Sequence, residues 1–371
     1  MPNEDMHKIT AAGIEAIVDL RGGHVRRFAI TGAGRTIEPT HSAPWLDDAA
    51  VQADESIVAN LRYLSGDFFC APFGAADLDG APLHGWPANA RWTTLETIPH
   101  PDGGTIARYA LSRPVMGARL VKEFVLRHGH PFLYERHIFI GGDGALPVAS
   151  HGMTRFDAGG RLAVSPKRYG MTPDIAPEPD PALGRSSLAY PARFTDLTRV
   201  PLAAGGFADI TAYPFAAMHE DFVMLVEAEG SALGWALATR PDKRDIYVSL
   251  KNPADLPVTL LWFSNGGRDY APWNSRHIGV LGIEEGRTFA GAGHKGSIAP
   301  NPLNAEGVPT ALVLDPEGEV EIRTVIGGLP LPEGWCRAAA VSAGNDSLTV
   351  SDESGAAFTV PYDAAFLARG R

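Results

Sequence analysis

Apolar and polar residues alternate along most of this chain, and a period of two predicts β-strands. Ile14, Ala16, Val18 and Leu20 share one face of a first strand, Gly22-Gly23 supplies a turn, and His24 to Ile30 returns. Trp92 to Ile98 and Thr105 to Leu111 flank Pro101-Asp102-Gly103-Gly104 and read as a second hairpin. Leu120 to Arg127 and Phe132 to Ile140 extend the pattern to Gly141-Gly142-Asp143-Gly144. Phe222 to Ala228, Ser231 to Thr239, Ile246 to Leu250 and Val258 to Phe263 add further strands. With 41 Gly and 30 Pro punctuating short runs, helices are hard to place, and only Ala49 to Leu64 predicts one.

The pattern therefore predicts an all-β protein, a large antiparallel sandwich. No internal repeat stands out. The expected organisation is one sandwich domain over residues 1–327, with residues 328–371 as a C-terminal β extension packed on it. Ser347 to Val350 and Ala357 to Val360 supply that tail with an edge hairpin. Thr172 to Pro181 is too rich in proline to join a ladder and is either a surface loop or a flap over a site.

Composition narrows the function classes. Apolar residues make up 45% and charged residues 20% of 371 positions, ordinary for a globular protein with a substantial core. The formal net charge of −11, with no Lys/Arg cluster to offset it, argues against a nucleic-acid partner. Apolar runs such as Leu256 to Phe263 are too short to span a bilayer, so no membrane partner is expected. Cys70 and Cys336 form no framework and no metal spacing, and the polar start lacks an apolar leader, so the expected location is cytoplasmic.

Phosphate-loop chemistry is not indicated: Gly22-Gly23 and Gly266-Gly267 lack the following helix and lysine. The spacing of a serine nucleophile elbow is missing too. His128, His130 and His137 lie on strand-like flanks without further ligand pairs, so no metal site is expected there. His84 stands beside Trp86 in a loop-like stretch, which suits either a ligand ring or a loop anchor. His151 closes an apolar run after Gly144, and Glu284 ends the glycine-bounded run Ile278 to Glu284. A positioned Glu and a positioned His are a base and an acid. With His84 and tryptophans expected to be exposed, they suggest a concave sheet face holding a carbohydrate.

In order and context these residues resemble the aldose 1-epimerase (galactose mutarotase) superfamily, over roughly residues 11 to 326. Leu83-His84-Gly85 resembles its Leu-His-Gly loop. Phe68 to Gly74 is similar to a Cys- and Pro-containing segment of its glucose-6-phosphate 1-epimerase branch. Leu146-Pro147 leading to His151, and Val280 leading to Glu284, resemble the strands that deliver the family's catalytic histidine and glutamate. Leu312 to Arg323 resembles its closing strand pair. The resemblance implies a β-supersandwich and cofactor-free interconversion of the α and β anomers of a sugar. It implies Glu284 as the base at the C1 hydroxyl, His151 as the acid at the ring oxygen, and His84 as a sugar contact.

Departures sharpen the expectation. Gly152-Met153-Thr154 stands where relatives place an aromatic pair, and Glu285 stands where they carry proline, so either acid could be the base. Ala88 and Leu64-Ser65 occupy places where the sugar-phosphate branch has arginine, with Arg62 and Arg91 out of register. The lost arginines favour a free sugar over a phosphorylated one. Asn265, Arg268 and Trp273, in a stretch dense in sugar-binding groups, are expected to line the site. The competing expectations are a non-catalytic carbohydrate-binding protein on the same fold and a hexose-6-phosphate epimerase. The small-molecule sugar is the expected partner, on a monomer or homodimer. Bound calcium, seen in some relatives, would have Asp67, Asp77 and Asp79 available, though without a loop signature.

Overall fold

Two antiparallel sheets packed face to face dominate the computed structural model, which describes residues 4–32, 34–78 and 80–368. The first has seven strands, in the order Ala192–Phe194, Lys167–Thr172, His219–Glu227, Val258–Asn265, Val280–Arg287, Val148–Arg155 and Phe69–Cys70. The second has nine: Ala212–Tyr213, Gly160–Val164, Gly234–Arg240, Asp245–Lys251, Glu319–Pro330, Phe132–Ile140, Arg119–Arg127, Gly104–Leu111 and Trp92–Pro99. The predicted all-β sandwich is the fold that forms.

The seven-stranded sheet is covered on both faces, and the nine-stranded sheet over its central strands. Between the sheets, Val223, Leu225, Leu261, Phe263, Leu281 and Ile283 of the seven-stranded sheet pack with Phe124, Tyr247 and Ile326 of the other. The other face of the seven-stranded sheet presents Ala149, Met153, Met224, Leu260 and Trp262 to Trp45, Phe68, Phe73 and Trp273, contributed by loops. The outer face of the nine-stranded sheet is covered by the tail, whose Leu348, Val350, Tyr362 and Phe366 pack on Tyr134, Val248 and Val325. That tail holds strands Ala338–Ala343, Ser347–Asp352 and Ala357–Pro361 and a short helix Ala364–Ala368. It therefore carries one strand more than the expected hairpin, and the strand Glu319–Pro330 leads into it across residue 327.

The predicted helix over 49–64 forms as two short pieces, Ala49–Ala53 and Ala59–Arg62. Asp54 breaks it. Its carboxylate accepts from the Ser56 amide at 2.9 Å and the Ser56 hydroxyl at 2.6 Å, a local turn that competes with helix propagation.

A belt of charge lies buried between the sheets. Lys251 Nζ reaches Glu285 at 2.6 Å and Glu227 at 3.0 Å, and the Thr259 hydroxyl at 2.8 Å. Lys167 joins Glu227 and Ser165 at its edge. Removing one member leaves uncompensated charge in a medium that solvates it poorly. Replacing Lys251 with Met should therefore cost about 3–5 kcal/mol of unfolding free energy. Chemical denaturation of the variant checks this, and a loss below about 1 kcal/mol would deny the belt its structural role.

Candidate active site

Backbone pairing sets the geometry. The strand Val148–Arg155 lies antiparallel to Val280–Arg287 in a register that places His151 directly opposite Glu284. The His151 amide donates to Phe68 O at 2.8 Å on the other side, so the pair with Glu284 is a non-hydrogen-bonded one. Side chains approach most closely at such positions. His151 Nε2 and Glu284 Oε1 stand 3.2 Å apart. Gly282, two residues earlier on the same face, leaves the room: a Cβ there would lie 2.8 Å from Glu284 Oε1 and 3.0 Å from Trp262 Cβ.

Aromatic rings fix the imidazole. Phe68 stacks on His151 with centroids 4.4 Å apart, and His24 stacks on Phe68 at the same separation. His84 meets His151 edge-on at 5.3 Å. Its loop is folded onto the sheet edge by a left-handed turn, His84 at φ 66° and Gly85 at φ 75°. A Cβ on Gly85 would collide with the Ala71 carbonyl, so glycine is required there.

Beside the pair, the strand Val258–Asn265 presents Trp262, 5.7 Å from the His151 ring. The Trp262 indole N–H donates to Glu220, as does the Ser264 hydroxyl at 3.0 Å. Arg268 Nη1 lies 3.5 Å from Glu220, and its guanidinium lies 4.7 Å from the Trp273 ring centroid. Trp273 abuts Trp45 at 4.8 Å and Trp262 at 5.8 Å. His277 stacks on Trp262 and shares a 3.0 Å contact with His41. The result is an aromatic wall with a carboxylate and a guanidinium set into it.

Of the residues singled out in the sequence, His151, Glu284 and His84 come together, and Arg268 and Trp273 stand next to them across Trp262. Asn265 does not join them. It alternates with Trp262 and Ser264 along its strand, and its amide bridges Ala216 O at 3.1 Å and the Gly279 N–H at 3.1 Å. Glu285 is likewise carried to the inter-sheet face, where Ser249 and Thr259 join Lys251 as its donors. Trp45, Trp92, Trp235, Trp262 and Trp273 are buried, contrary to the expected exposure. The loops over this sheet face enclose three of them, Trp45, Trp262 and Trp273.

Glu220, Trp262, Phe68 and Trp45 were not anticipated. Trp262 shares the strand face of Leu260, the residue opposite Glu284, which is the one signal that could have found it. Arg62 and Arg91 are engaged elsewhere, with Gln52 O and Asp5 respectively. Arg185, just beyond the proline-rich loop, grips Asp269, the neighbour of Arg268, at 2.6 Å. That stretch braces the loop carrying Arg268 and Trp273.

No group of three or more metal-ligating side chains stands together among the described residues. His137 stacks on Phe69 at 3.9 Å and His130 contacts the Tyr134 hydroxyl at 2.7 Å. Asp67 is buried between the sheets, and Asp77 accepts from the His294 and Lys295 amides at 2.8 Å. Asp79 lies outside the described residues.

The pair is dry. His151 is 4% exposed and Glu284 1% exposed, and both Glu284 oxygens lack a hydrogen-bond donor among the described residues. Burial, then the charges of Asp67 and Glu285, holds the Glu284 carboxyl well above its ordinary range. Burial, then neighbouring His84 and His24, holds His151 well below its ordinary value. Both shifts disfavour charge, so the uncharged arrangement of the pair is the favoured one.

Two outcomes follow. Glu284→Gln should leave stability unchanged or raise it by about 1 kcal/mol, because it removes an unsatisfied buried acid, while Glu285→Gln should lower it by about 2 kcal/mol or more. Denaturant titration distinguishes them, and equal losses would contradict the two-face assignment. His24 is buried with its pKa lowered to about 4, so the folded state declines a proton that the unfolded chain accepts as pH falls through 6.5. Stability is therefore lost from pH 6.5 down to about 4, and the advantage of wild type over His24→Asn should shrink by about 1–3 kcal/mol between pH 7 and 4.5. A pH-independent difference in thermal denaturation would count against a buried neutral His24.

Sequence comparison matches the chain to no family profile and to no curated protein. Comparison of structures does find similar folds. A galactose mutarotase related enzyme from Lactobacillus acidophilus superposes with a TM-score of 0.54 at 11% identity, covering 88% of this chain and 98% of that one. An aldose 1-epimerase candidate from Escherichia coli K12 gives 0.55 at 11% identity, covering 88% and 99%. Another from Klebsiella pneumoniae gives 0.56 at 14% identity, covering 86% and 77%. The seven- and nine-stranded sheets and the loops closing over the His151–Glu284 pair thus build a galactose mutarotase-like fold.

Proposed function

We propose that the protein interconverts the α and β anomers of a free, non-phosphorylated aldose, with Glu284 and His151 moving the protons. The observation that carries this reading is the register-locked, buried His151–Glu284 pair beside an aromatic wall. Likeness to structures described as mutarotase-related supports it at the level of fold.

The chemistry needs two proton transfers at one carbon. The C1 hydroxyl must lose a proton and the ring oxygen must gain one as the C1–O5 bond breaks. Both oxygens are bonded to C1, so acid and base must stand side by side, as a 3.2 Å contact between Nε2 and Oε1 places them. With the proton on His151, Glu284 takes the proton from O1 while His151 delivers its own to O5. The open aldehyde forms and the pair is left in its uncharged arrangement. After rotation about C1–C2, His151 takes the proton from the C5 hydroxyl as that oxygen attacks C1. Glu284 returns its proton to O1, and the other anomer results. The pair begins and ends with one proton, so no cofactor is required.

The wall supports a neutral sugar. Opening of the loops that enclose Trp262 and Trp273 would offer their faces to apolar C–H surfaces and the Glu220 carboxylate to hydroxyls. Arg268 lies 3.5 Å from that same carboxylate, which offsets its charge toward a phosphate.

Anomer exchange across a panel of aldoses, followed by NMR, tests the reading. Wild type should accelerate exchange for at least one free aldose, and His151→Asn or Glu284→Gln should each lose roughly 10²–10⁴-fold. Because Glu284 is raised and His151 lowered, the singly protonated pair persists on both sides of neutrality. The rate should be flat from about pH 6 to 8 instead of falling below 6.5. Binding without exchange would make the protein a carbohydrate-binding one, and exchange confined to 6-phosphorylated sugars would reassign the substrate.

A further inference from the structure

Behind the aromatic wall runs a chain of buried side chains that the proposed reaction does not use. Strand register places Glu220 opposite Ser264, so both side chains lie on the sheet face that carries Trp262. The Ser264 hydroxyl stands 3.0 Å from Glu220 Oε2 and 2.7 Å from His277 Nδ1. His277 Nε2 in turn stands 3.0 Å from His41 Nε2. All four residues are buried. Trp45, Trp262 and Trp273 enclose the His277 ring, their centroids 5.3, 5.4 and 5.1 Å from its own. His41 is fastened to the strand of His151, where its amide donates to Met153 O at 2.9 Å.

Counting protons gives this chain a direction. A serine hydroxyl has one proton to donate, and a neutral imidazole has one N–H. Ser264 donates to Glu220, so toward His277 its oxygen must accept, and His277 carries its proton on Nδ1. The Nε2 of His277 is then bare, and its contact with His41 requires His41 to donate from Nε2. Burial keeps both rings uncharged, with the His41 pKa lowered to about 3 and that of His277 well below its ordinary value.

We propose that His277, held in this tautomer by His41, is a positioning residue for Glu220: it commits the Ser264 hydroxyl to the carboxylate, so that Glu220 meets the sugar as an oriented, ionised acceptor. The proposal rests on the reading of this wall as the sugar site. Without a donor at position 41, the His277 proton can move to Nε2. Nδ1 then accepts from Ser264, and Glu220 keeps the Trp262 indole and Arg268 but loses the hydroxyl.

Long-range 1H–15N correlation spectra of the full chain, labelled in histidine, read both tautomers without any need for turnover. The expected result is His277 protonated at Nδ1 and His41 at Nε2. In His41→Phe the His277 proton should move to Nε2, whereas His41→Gln, which keeps a donor in the place of Nε2, should hold it on Nδ1. For the panel aldose that exchanges fastest, KM should rise about three- to tenfold in His41→Phe, with kcat changed by less than about twofold. His41→Gln should recover most of that loss. A wild-type His277 protonated at Nε2 overturns the proposal, as does an unchanged KM in a folded His41→Phe. If His41→Phe does not fold, Ser264→Ala decides: it removes the hydroxyl outright and should raise KM by a similar factor, and an unchanged KM overturns the proposal. If no aldose exchanges, the catalytic reading falls, and the same fold-change is sought in Kd for the aldose of the panel that binds tightest. A panel from which nothing binds ends the sugar reading and the role of Glu220 with it.

Discussion

The cross-strand register between His151 and Glu284 is the constraint on which everything else in this molecule depends. A slip of one residue would exchange the two faces of the sheet. It would carry Glu285 toward the aromatic wall and bury Glu284 against Lys251. The register is held by burial on both sides, since neither face can turn outward without exposing its apolar residues. Consecutive acids can therefore have opposite fates. Glu285 is matched by a lysine and two hydroxyls, whereas Glu284 meets a histidine and little else.

That contrast divides the sheet into a face of matched charges and a face that carries the His151–Glu284 pair. Between the sheets, Lys251, Glu285 and Glu227 are paired and hydrogen-bonded, so the loss of one partner costs much. On the covered outer face, Glu284 and His151 are left short of partners, and burial disfavours charge on both. Such a site is held together by what surrounds it. Phe68, His24 and Trp262 fix the imidazole by contact, and Gly282 leaves space for the carboxylate. The loops bearing Trp45 and Trp273 exclude water, which strengthens every remaining electrostatic interaction.

Much of this was legible in the sequence, and the parts that were not share a cause. Strands announced themselves through alternation and glycine-rich turns, and His151, Glu284 and His84 stood out at the ends of apolar runs or in a tight loop. The central strands are buried on both faces, however, and there alternation no longer separates inside from outside. Neither the choice between Glu284 and Glu285 nor the rejection of Asn265 could be read without the register. Glu220, at the start of its own strand, becomes visible as part of the site once Ser264 is known to lie opposite it. The first strand of the tail, Ala338 to Ala343, is built from small residues that carry no periodic signal. The helix over 49–64 failed at Asp54, where side-chain hydrogen bonding overrode a favourable pattern.

The central claim is that one buried, register-fixed proton pair acts on both oxygens of an anomeric carbon. A crystal structure with a bound aldose tests it most directly. The account predicts the sugar seated against Trp262 and Trp273, with O1 within hydrogen-bond reach of Glu284 and O5 within reach of His151. A sugar bound elsewhere on the sandwich, or bound with C1 turned away from the pair, would contradict it.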